Sequence, residues 1–565
     1  MRLFKRKRKQ QIDLDEIFID SSNLPSFDRA RLEGRLEMPI SHRSIIGVGV
    51  VFGLIVVVFF GQAFKLQVVE GDELRKQSEN NRLDKAYIIA ERGVIYDRNG
   101  ERLAWNKEDD DLTDFAGRAY TDRRGLGQLL GYVTYPKKDS SGFYFRTEYE
   151  GIIGIEKEYN AVLAGENGEQ LIEMDATQNV ISQHVARQPT AGTSITLSID
   201  AEFSEVLHDA LAKTSEAQGF RSGAGVVMDV HTGEIIALAN FPSYDPELLA
   251  KGSDADAIRA LNEDSRLPFM NRIMSGLYTP GSIVKPFMAY AALAEGIINP
   301  MKQILSTGQI VIPNPYNFDN PSIFRDWRAH GLVDMRRAIA LSSNVYFYAI
   351  GGGYQDQKGL GISKIDRYMH MFGFGEAPGT PLASDKTGVV PNPAWKEEVF
   401  EDEWRLGDTY FTSIGQFGFQ VTPLQMLRAF GAIANGGTML TPHFVEGEAA
   451  PSYDLNLNKE YVNIIHEGMR QAVLDGTTRA LNRSDVHLAG KTGTAQIGAN
   501  NEYINSWAVG FFPYEEPKYV FVTLLEQGPK NNLFGSAPTM SGVLDWLIKH
   551  RPEYLGLPPH EAEAE

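Results

Sequence analysis

Three features of the 565-residue sequence predict an α+β protein carrying one membrane-crossing helix. A single uncharged apolar run stands near the start, and a loop-rich stretch of short alternating segments follows it. Beyond that, a helix and a β-hairpin after residue 200 are mirrored by a hairpin and a helix at the far end. Such mirrored ends can share one antiparallel sheet flanked by helices, with the helical middle packed beside it.

The length exceeds the ~250–300 residues that one core supports, so at least two domains are expected. Hydrophobic residues make up 43% and charged residues 23%, a globular composition. A formal net charge of -18 disfavours capture of nucleic acid phosphates as the main activity. Cysteine is absent, which excludes disulfides, thiolate metal sites and a cysteine nucleophile.

Arg2, Lys5, Arg6, Lys7, Arg8 and Lys9 cluster at the start of an otherwise acidic chain. From Ser44 to Phe64 the run SIIGVGVVFGLIVVVFFGQAF holds no charge, close to the ~20 residues a helix needs to cross the hydrocarbon layer. The basic side precedes the span, so residues 1–43 are expected in the cytoplasm and the chain beyond about residue 66 outside it. GQAFKLQVVE offers no small-residue cleavage site of the kind that ends a signal peptide. β-Branched residues and Phe on every face suit lipid better than a buried packing site. Residues 11–43, with Pro25 and Pro39, read as a flexible tail.

Residues 67 to about 190 carry turn signals at Asp97-Arg98-Asn99-Gly100 and Gly165-Glu166-Asn167-Gly168, which predicts extended β structure. Next, Phe203, Val206, Leu207, Ala210 and Leu211 recur at helical spacing. The runs AGVVMDV and EIIALAN flank His231-Thr232-Gly233 as a hairpin. At the other end, SWAVGFFP and KYVFVTLLEQ form a second hairpin around residues 514–517, and GVLDWLIKH reads as a closing helix. The acidic HEAEAE end is expected to be disordered.

Three short motifs carry candidate chemistry. If a helix begins near Ser282, Ser282 and Lys285 lie on one face at i and i+3, a nucleophile and a base. Pro286 then falls in the first turn, where its missing donor costs little. An alcohol needs a base near neutral pH, so Lys285 must lose its proton readily, which burial and a nearby cation both favour. An isolated Ser-x-x-Lys is more often an exposed helix surface. In Ser342-Ser343-Asn344, a hydroxyl and an amide two residues apart can supply a proton relay and orient substrate; the plain reading is a polar cap between helices. In Lys491-Thr492-Gly493-Thr494, a strand offers a cation, hydroxyls and a glycine that lets a substrate backbone approach, a carboxylate-binding edge. The same cation is expected to depress the Lys285 pKa. Lys386-Thr387-Gly388 repeats the letters among Pro391 and Pro393 and reads as a loop.

These motifs, in this order, resemble the penicillin-recognising serine transpeptidases. The stretches RGVIYDRNGERLAWN, GIEKEYNAVLAGENG, ALANFPSYDP, NRIMSGLYTPGSIVKP, LGDTYFTSIGQ and VTPLQM extend the resemblance over roughly residues 45–550. It points to the class B penicillin-binding proteins, most closely the elongation-specific penicillin-binding protein 2 group. The resemblance implies a cytoplasmic tail (1–43), a transmembrane helix (44–66), a β-rich pedestal (67–192), a serine β-lactamase/transpeptidase-like domain (193–550) and a disordered tail (551–565). The implied activity is D-Ala-D-Ala transpeptidation of peptidoglycan stem peptides during wall elongation, with residual carboxypeptidase activity and inhibition by β-lactams. Ser282 is then the nucleophile, Lys285 the general base, Ser342 a proton relay and Asn344 the amide that bonds substrate. Lys491, Thr492, Gly493 and Thr494 bind the terminal carboxylate, and the backbone N–H groups of Ser282 and Thr494 form an oxyanion hole. No cofactor or metal is implied. The absence of Glu-x-x-Leu-Asn opposes rapid antibiotic hydrolysis, and no glycosyltransferase-like stretch precedes the pedestal. The implied partners are stem peptides, β-lactams and, through the membrane helix and pedestal, a polytopic membrane glycosyltransferase and other elongation proteins. The implied location is the bacterial inner membrane with the catalytic domain outside the cytoplasm. Two competing classes are a membrane-anchored β-lactam sensor, for which residues 1–43 are short, and a catalytically silent scaffold, which the intact motifs oppose.

Other residues receive plainer readings. His330, His466 and His487 read as solvated or capping, and KEEVFEDEW as a solvated surface or loop lid. Arg92, Asp97 and Glu156 read as partners in structural ion pairs or hydrogen bonds.

Overall fold

A computed structural model describes residues 41–80, 83–109, 112, 114–140, 144–174, 180–314, 319–382, 386–532 and 534–558. The basic cluster, the tail up to residue 40 and the acidic end from residue 559 lie outside the described residues. The chain forms two compact units, residues 1–84 with 173–180 and residues 85–172 with 181–565.

In the first unit, helix α1 spans His42–Phe64, and every one of its residues is exposed. Its 23 residues rise about 34 Å, enough to cross a hydrocarbon layer. The helix starts two residues before the apolar run because the Ser41 hydroxyl accepts from the Arg43 N–H.

In the second unit, four short strands form a sheet: β1 (Ile95–Tyr96), β2 (Arg102–Lys107), β3 (Gly117–Tyr120) and β4 (Ile195–Thr196), in the order β4–β1–β2–β3. Beside it a buried triad forms: Arg92 Nε donates to Glu156 Oε2 at 2.6 Å, and Arg118 Nε donates to Glu156 Oε1 at 2.8 Å. Asp97 Oδ1 accepts from the Asn99 and Glu101 N–H groups and so closes the turn between β1 and β2. Its Oδ2 accepts from Ala201 N at 3.2 Å, at the start of α2 (Ala201–Gln218). The turn is thereby tied to a helix N-terminus, where a carboxylate is favoured.

The two predicted hairpins do share one sheet. Strands β5 (Ser222–Asp229) and β6 (Ile235–Phe241) join β7 (Ala489–Ile497), β8 (Tyr503–Phe512) and β9 (Tyr519–Pro529) in the antiparallel order β6–β5–β9–β8–β7. Both faces are covered, so the strands read as nearly continuous apolar runs. Val226, Met228, Trp507, Val509, Val520 and Val522 enter one core, shared with α3 (Lys285–Ala294) and the wholly buried α6 (Pro423–Ala434). Their neighbours Val227, Ala508 and Phe521 enter a second core with Phe203, Leu207 and Leu211 of α2 and Met540 and Leu544 of α8 (Ala537–His550). Between these ends lie α4 (Met335–Leu341), α5 (Asn344–Gly352) and α7 (Lys459–Asp475), with α7 packed on α4 and β7.

Candidate active site

The loop before Ser282 is fixed by distant residues. Trp507 Nε1 in β8 donates to Thr279 O at 3.0 Å. Gly281, at φ 58°, donates its N–H to Gly415 O at 2.9 Å, and Gly415 itself sits at φ 74°. Gly415 admits no side chain, because a Cβ there would lie 2.2 Å from Gly281 O. Ser282, half-buried, occupies a 3-10 turn over Gly281–Val284, and the α-helix begins only at Lys285. This differs in detail from a helix starting at the serine, yet a 3-10 turn eclipses i and i+3 and keeps both residues on one face. Pro286 lies in the first turn of α3, where its lost donor has no intrahelical acceptor.

Lys285 is fully buried. Its Nζ donates to Ser342 O at 2.7 Å, to Asn344 Oδ1 at 2.7 Å and to Ser342 Oγ at 3.3 Å, and lies 5.4 Å from the centre of the Phe347 ring. Loss of water pushes its pKa from 10.5 down to about 7, against the opposing charge of Asp326. Lys491, also fully buried, donates from Nζ to Ser342 Oγ at 2.8 Å and to Thr492 O at 2.8 Å. Its pKa also falls well below the usual lysine value, first through burial and second through the charge of Lys285. The expectation that the Lys491 charge depresses Lys285 therefore needs amending: burial dominates at Lys285, and repulsion is felt at Lys491.

The turn between α4 and α5 divides its labour. Ser342 takes the left-handed conformation (φ 57°, ψ 39°), which turns its carbonyl and hydroxyl to the two lysines. Ser343 takes the helix-capping role, its Oγ accepting from Tyr346 N. Asn344 Oδ1 faces Lys285, while its Nδ2 donates to Arg325 O at 3.4 Å.

On edge strand β7, alternation puts Lys491 and Gly493 on the buried face. Thr492, half-buried, and Thr494, exposed, share the other face. Gly493 is glycine for a reason other than room for substrate: a Cβ would lie 2.7 Å from Pro280 O and 2.9 Å from Ile283 Cγ2. The strand thus packs directly on the serine turn. Lys386-Thr387-Gly388 lies outside any helix or strand.

Several residues of this assembly carry no sequence signal: Trp507, Gly415 and Asp326. The Asp326 side chain is enclosed and accepts from Ser343 Oγ at 2.9 Å and Val345 N at 3.0 Å. His330 is not solvated: its side chain is enclosed, 3.6 Å from Asp326 Oδ1. His466 is also largely enclosed, its Nε2 2.9 Å from Ile433 O and its ring against Phe511. His487 pairs with Glu515. The KEEVFEDEW run is more than a solvated face, since Lys396 is buried and clamped to Asp402 and Asp408.

Comparison with known proteins places the chain among the penicillin-binding proteins. Residues 223–545 match the model of the penicillin binding protein transpeptidase domain, and residues 111–197 match the penicillin-binding protein dimerisation domain. The chain belongs to the penicillin-binding protein transpeptidase family. A curated relative, the peptidoglycan D,D-transpeptidase MrdA of Acinetobacter baumannii, is 29% identical over 90% of this chain and 88% of its own length. Penicillin-binding protein 2 of Helicobacter pylori, solved in complex with MreC, matches with TM-score 0.68 and 27% identity, over 82% of this chain and 98% of that one. A chain of a peptidoglycan synthase complex that coordinates polymerization and crosslinking matches with TM-score 0.70 and 27% identity, over 92% of this chain and 99% of that one.

Proposed function

We propose that this chain is a serine D,D-transpeptidase of the penicillin-binding protein 2 type, which cross-links peptidoglycan stem peptides during wall elongation and is inhibited by β-lactams. The observation that carries the reading is the single hydroxyl of Ser342 bonded to two buried lysines, beside the turn that bears Ser282. A neutral Lys285 has two N–H donors and one lone pair. The two 2.7 Å bonds use the donors, so in the neutral amine the lone pair faces Ser342 Oγ at 3.3 Å and is the site that takes the proton given up by Ser282 Oγ.

Ser282 Oγ attacks the carbonyl of the penultimate D-Ala as its proton passes to Lys285. The oxyanion is held by the backbone N–H groups of Ser282 and Thr494, each such donor being worth about 3–4 kcal/mol. The close packing of the serine turn on β7 supports this pairing, since a Cβ on Gly281 would lie 3.1 Å from Thr494 O. The hydroxyls of Thr492 and Thr494, which share the open face of β7, bind the terminal carboxylate, and Lys491 acts on it from the buried face through Ser342 Oγ and its field. Asn344 orients the substrate amide. As the C–N bond breaks, terminal D-Ala takes a proton delivered through Ser342 Oγ and leaves. An amine of a neighbouring stem then attacks the acyl-enzyme and restores Ser282.

Helix α1 anchors the enzyme, with residues 1–43 in the cytoplasm and the catalytic domain outside. The pedestal and anchor meet a glycan-polymerising membrane partner and elongation proteins. This draws on the relatives solved with MreC and within a polymerising and crosslinking complex. The test is cross-linking of lipid-linked precursor by the purified full chain with a partner polymerase. Dimeric muropeptides that depend on Ser282 are expected, and equal dimer from Ser282→Ala refutes the assignment.

A further inference from the structure

The hydrogen bonds behind the Ser342-Ser343-Asn344 turn converge on one carboxylate. Asp326 Oδ2 accepts from Ser343 Oγ at 2.9 Å, Val345 N at 3.0 Å and Ser306 Oγ at 3.3 Å, while Oδ1 accepts from Trp327 N at 2.8 Å. Two of these donors bracket Asn344 in sequence, and Ser343 directly follows Ser342. The residue before Asp326 completes the frame, since Arg325 O accepts from Asn344 Nδ2 at 3.4 Å and from the Tyr348 hydroxyl at 3.3 Å. Asp326 makes no hydrogen bond to a lysine among those described, so its effect on chemistry must pass through the turn or through its field.

We propose that Asp326 is a positioning residue for acylation: its enclosed carboxylate, bonded to Ser343 Oγ, Val345 N and Ser306 Oγ, holds the turn that sets Ser342 and Asn344 against Lys285. The inference rests on the transpeptidase reading above. The groups facing Lys285 are Lys491 from β7, the polar atoms of Ser342 and Asn344, the Phe347 ring of α5, and Asp326 and His330 from the loop before α4. Among these, Asp326 is the one anion, and its charge acts to raise the pKa of Lys285 while burial lowers it. Asp326 in turn faces His330, whose pKa is lowered mainly by burial, so the imidazole is neutral near pH 7 and leaves the carboxylate charge uncancelled. The Arg328 guanidinium lies over the Trp327 ring, 4.4 Å from its centre. The turn therefore receives both its shape and its field from one side chain.

The test measures the second-order rate of acylation of the full chain in detergent by a fluorescent penicillin, from about pH 5 to pH 9. Asp326→Asn removes the charge, which favours the neutral amine, so the acid limb is expected to move to lower pH by about half a unit or more. Ser343→Ala keeps the charge but loses the Oγ bond to Asp326 together with the cap on Tyr346 N, so its plateau is expected to fall several-fold with the limb unmoved. An Asp326→Asn limb that stays in place or moves upward overturns the proposal, as does a Ser343→Ala plateau equal to wild type. If Asp326→Asn fails to fold by near-UV circular dichroism, Ser306→Ala joins Ser343→Ala. Both must then lower the plateau at a fixed limb, and wild-type behaviour in either overturns the proposal. A wild-type chain that takes no label at any pH removes the transpeptidase reading itself, whereas a labelled wild type with an unmoved variant limb removes only this inference.

Discussion

Acylation by this enzyme should depend on the proton of Lys285, and the structure sets the size of that dependence. An ordinary lysine at 10.5 presents a neutral amine roughly once in three thousand at pH 7. Burial brings Lys285 to about 7, so about half the molecules hold a competent base there. The sign is fixed by the role. Below pH 7 the amine takes a proton, its lone pair is lost and Ser282 cannot surrender its hydrogen. The rate should then fall about tenfold per pH unit well below the pKa, about fiftyfold between pH 7 and pH 5. The same shift links to stability. Between about 7 and 10.5 the unfolded lysine holds more protons than the folded one, so the folded state gains stability as pH rises through that window. Below about 7 both states are protonated, and the destabilisation from this group is complete. The assay is the second-order acylation rate by a penicillin across pH, paired with Lys285→Arg. Arginine keeps the charge and the donors but accepts no proton, so a loss of about a thousandfold or more is expected. A rate that is flat from pH 5 to pH 7, or a Lys285→Arg variant within tenfold of wild type, refutes Lys285 as the base.

Further outcomes follow from the supports of the site. Gly493→Ala brings a Cβ within 2.7 Å of Pro280 O and displaces the serine turn. Acylation should fall at least tenfold, with about 1–3 kcal/mol lost in denaturant unfolding; wild-type rates would show that the turn yields. Trp507→Phe keeps a six-membered aromatic ring but loses the pyrrole half of the indole and with it the bond to Thr279 O. A cost of about 1 kcal/mol and a several-fold lower acylation rate are expected, and an unchanged rate contradicts the anchoring role. Glu156→Gln leaves Arg92 and Arg118 buried without their shared counter-charge, at a cost of about 3–5 kcal/mol. Limited proteolysis should then cut first near residues 90–160, and wild-type resistance contradicts the ion-pair account.

Much of the fold was legible because it is written in local patterns. The two hairpins announce themselves by turn residues, and the doubly buried sheet by apolar runs such as those in β8 and β9. The three motifs were legible as chemistry because they occur together and in one order, although each alone is common enough to arise by chance. What stayed hidden depends on contacts between distant segments. Trp507 lies 228 residues from Thr279, and its bond follows from the order of the sheet. Asp326 sits in a polar loop with no periodicity, so nothing local separates it from a solvated aspartate. Gly493 was read for the room it gives a substrate, but its neighbour is the chain's own serine turn. His330 was misread for the same reason, since its side chain is enclosed by tertiary packing, whereas His466 meets Ile433 O in the last turn of α6, the capping role its reading allowed.

Mass spectrometry of the intact full-length chain after brief exposure to a penicillin, followed by peptide mapping, asks directly whether a reactive alcohol exists in this assembly. The account predicts one covalent adduct per chain, carried on the peptide that contains Ser282 and absent from Ser282→Ala. An adduct on any other residue, or none on a folded wild-type chain, contradicts it.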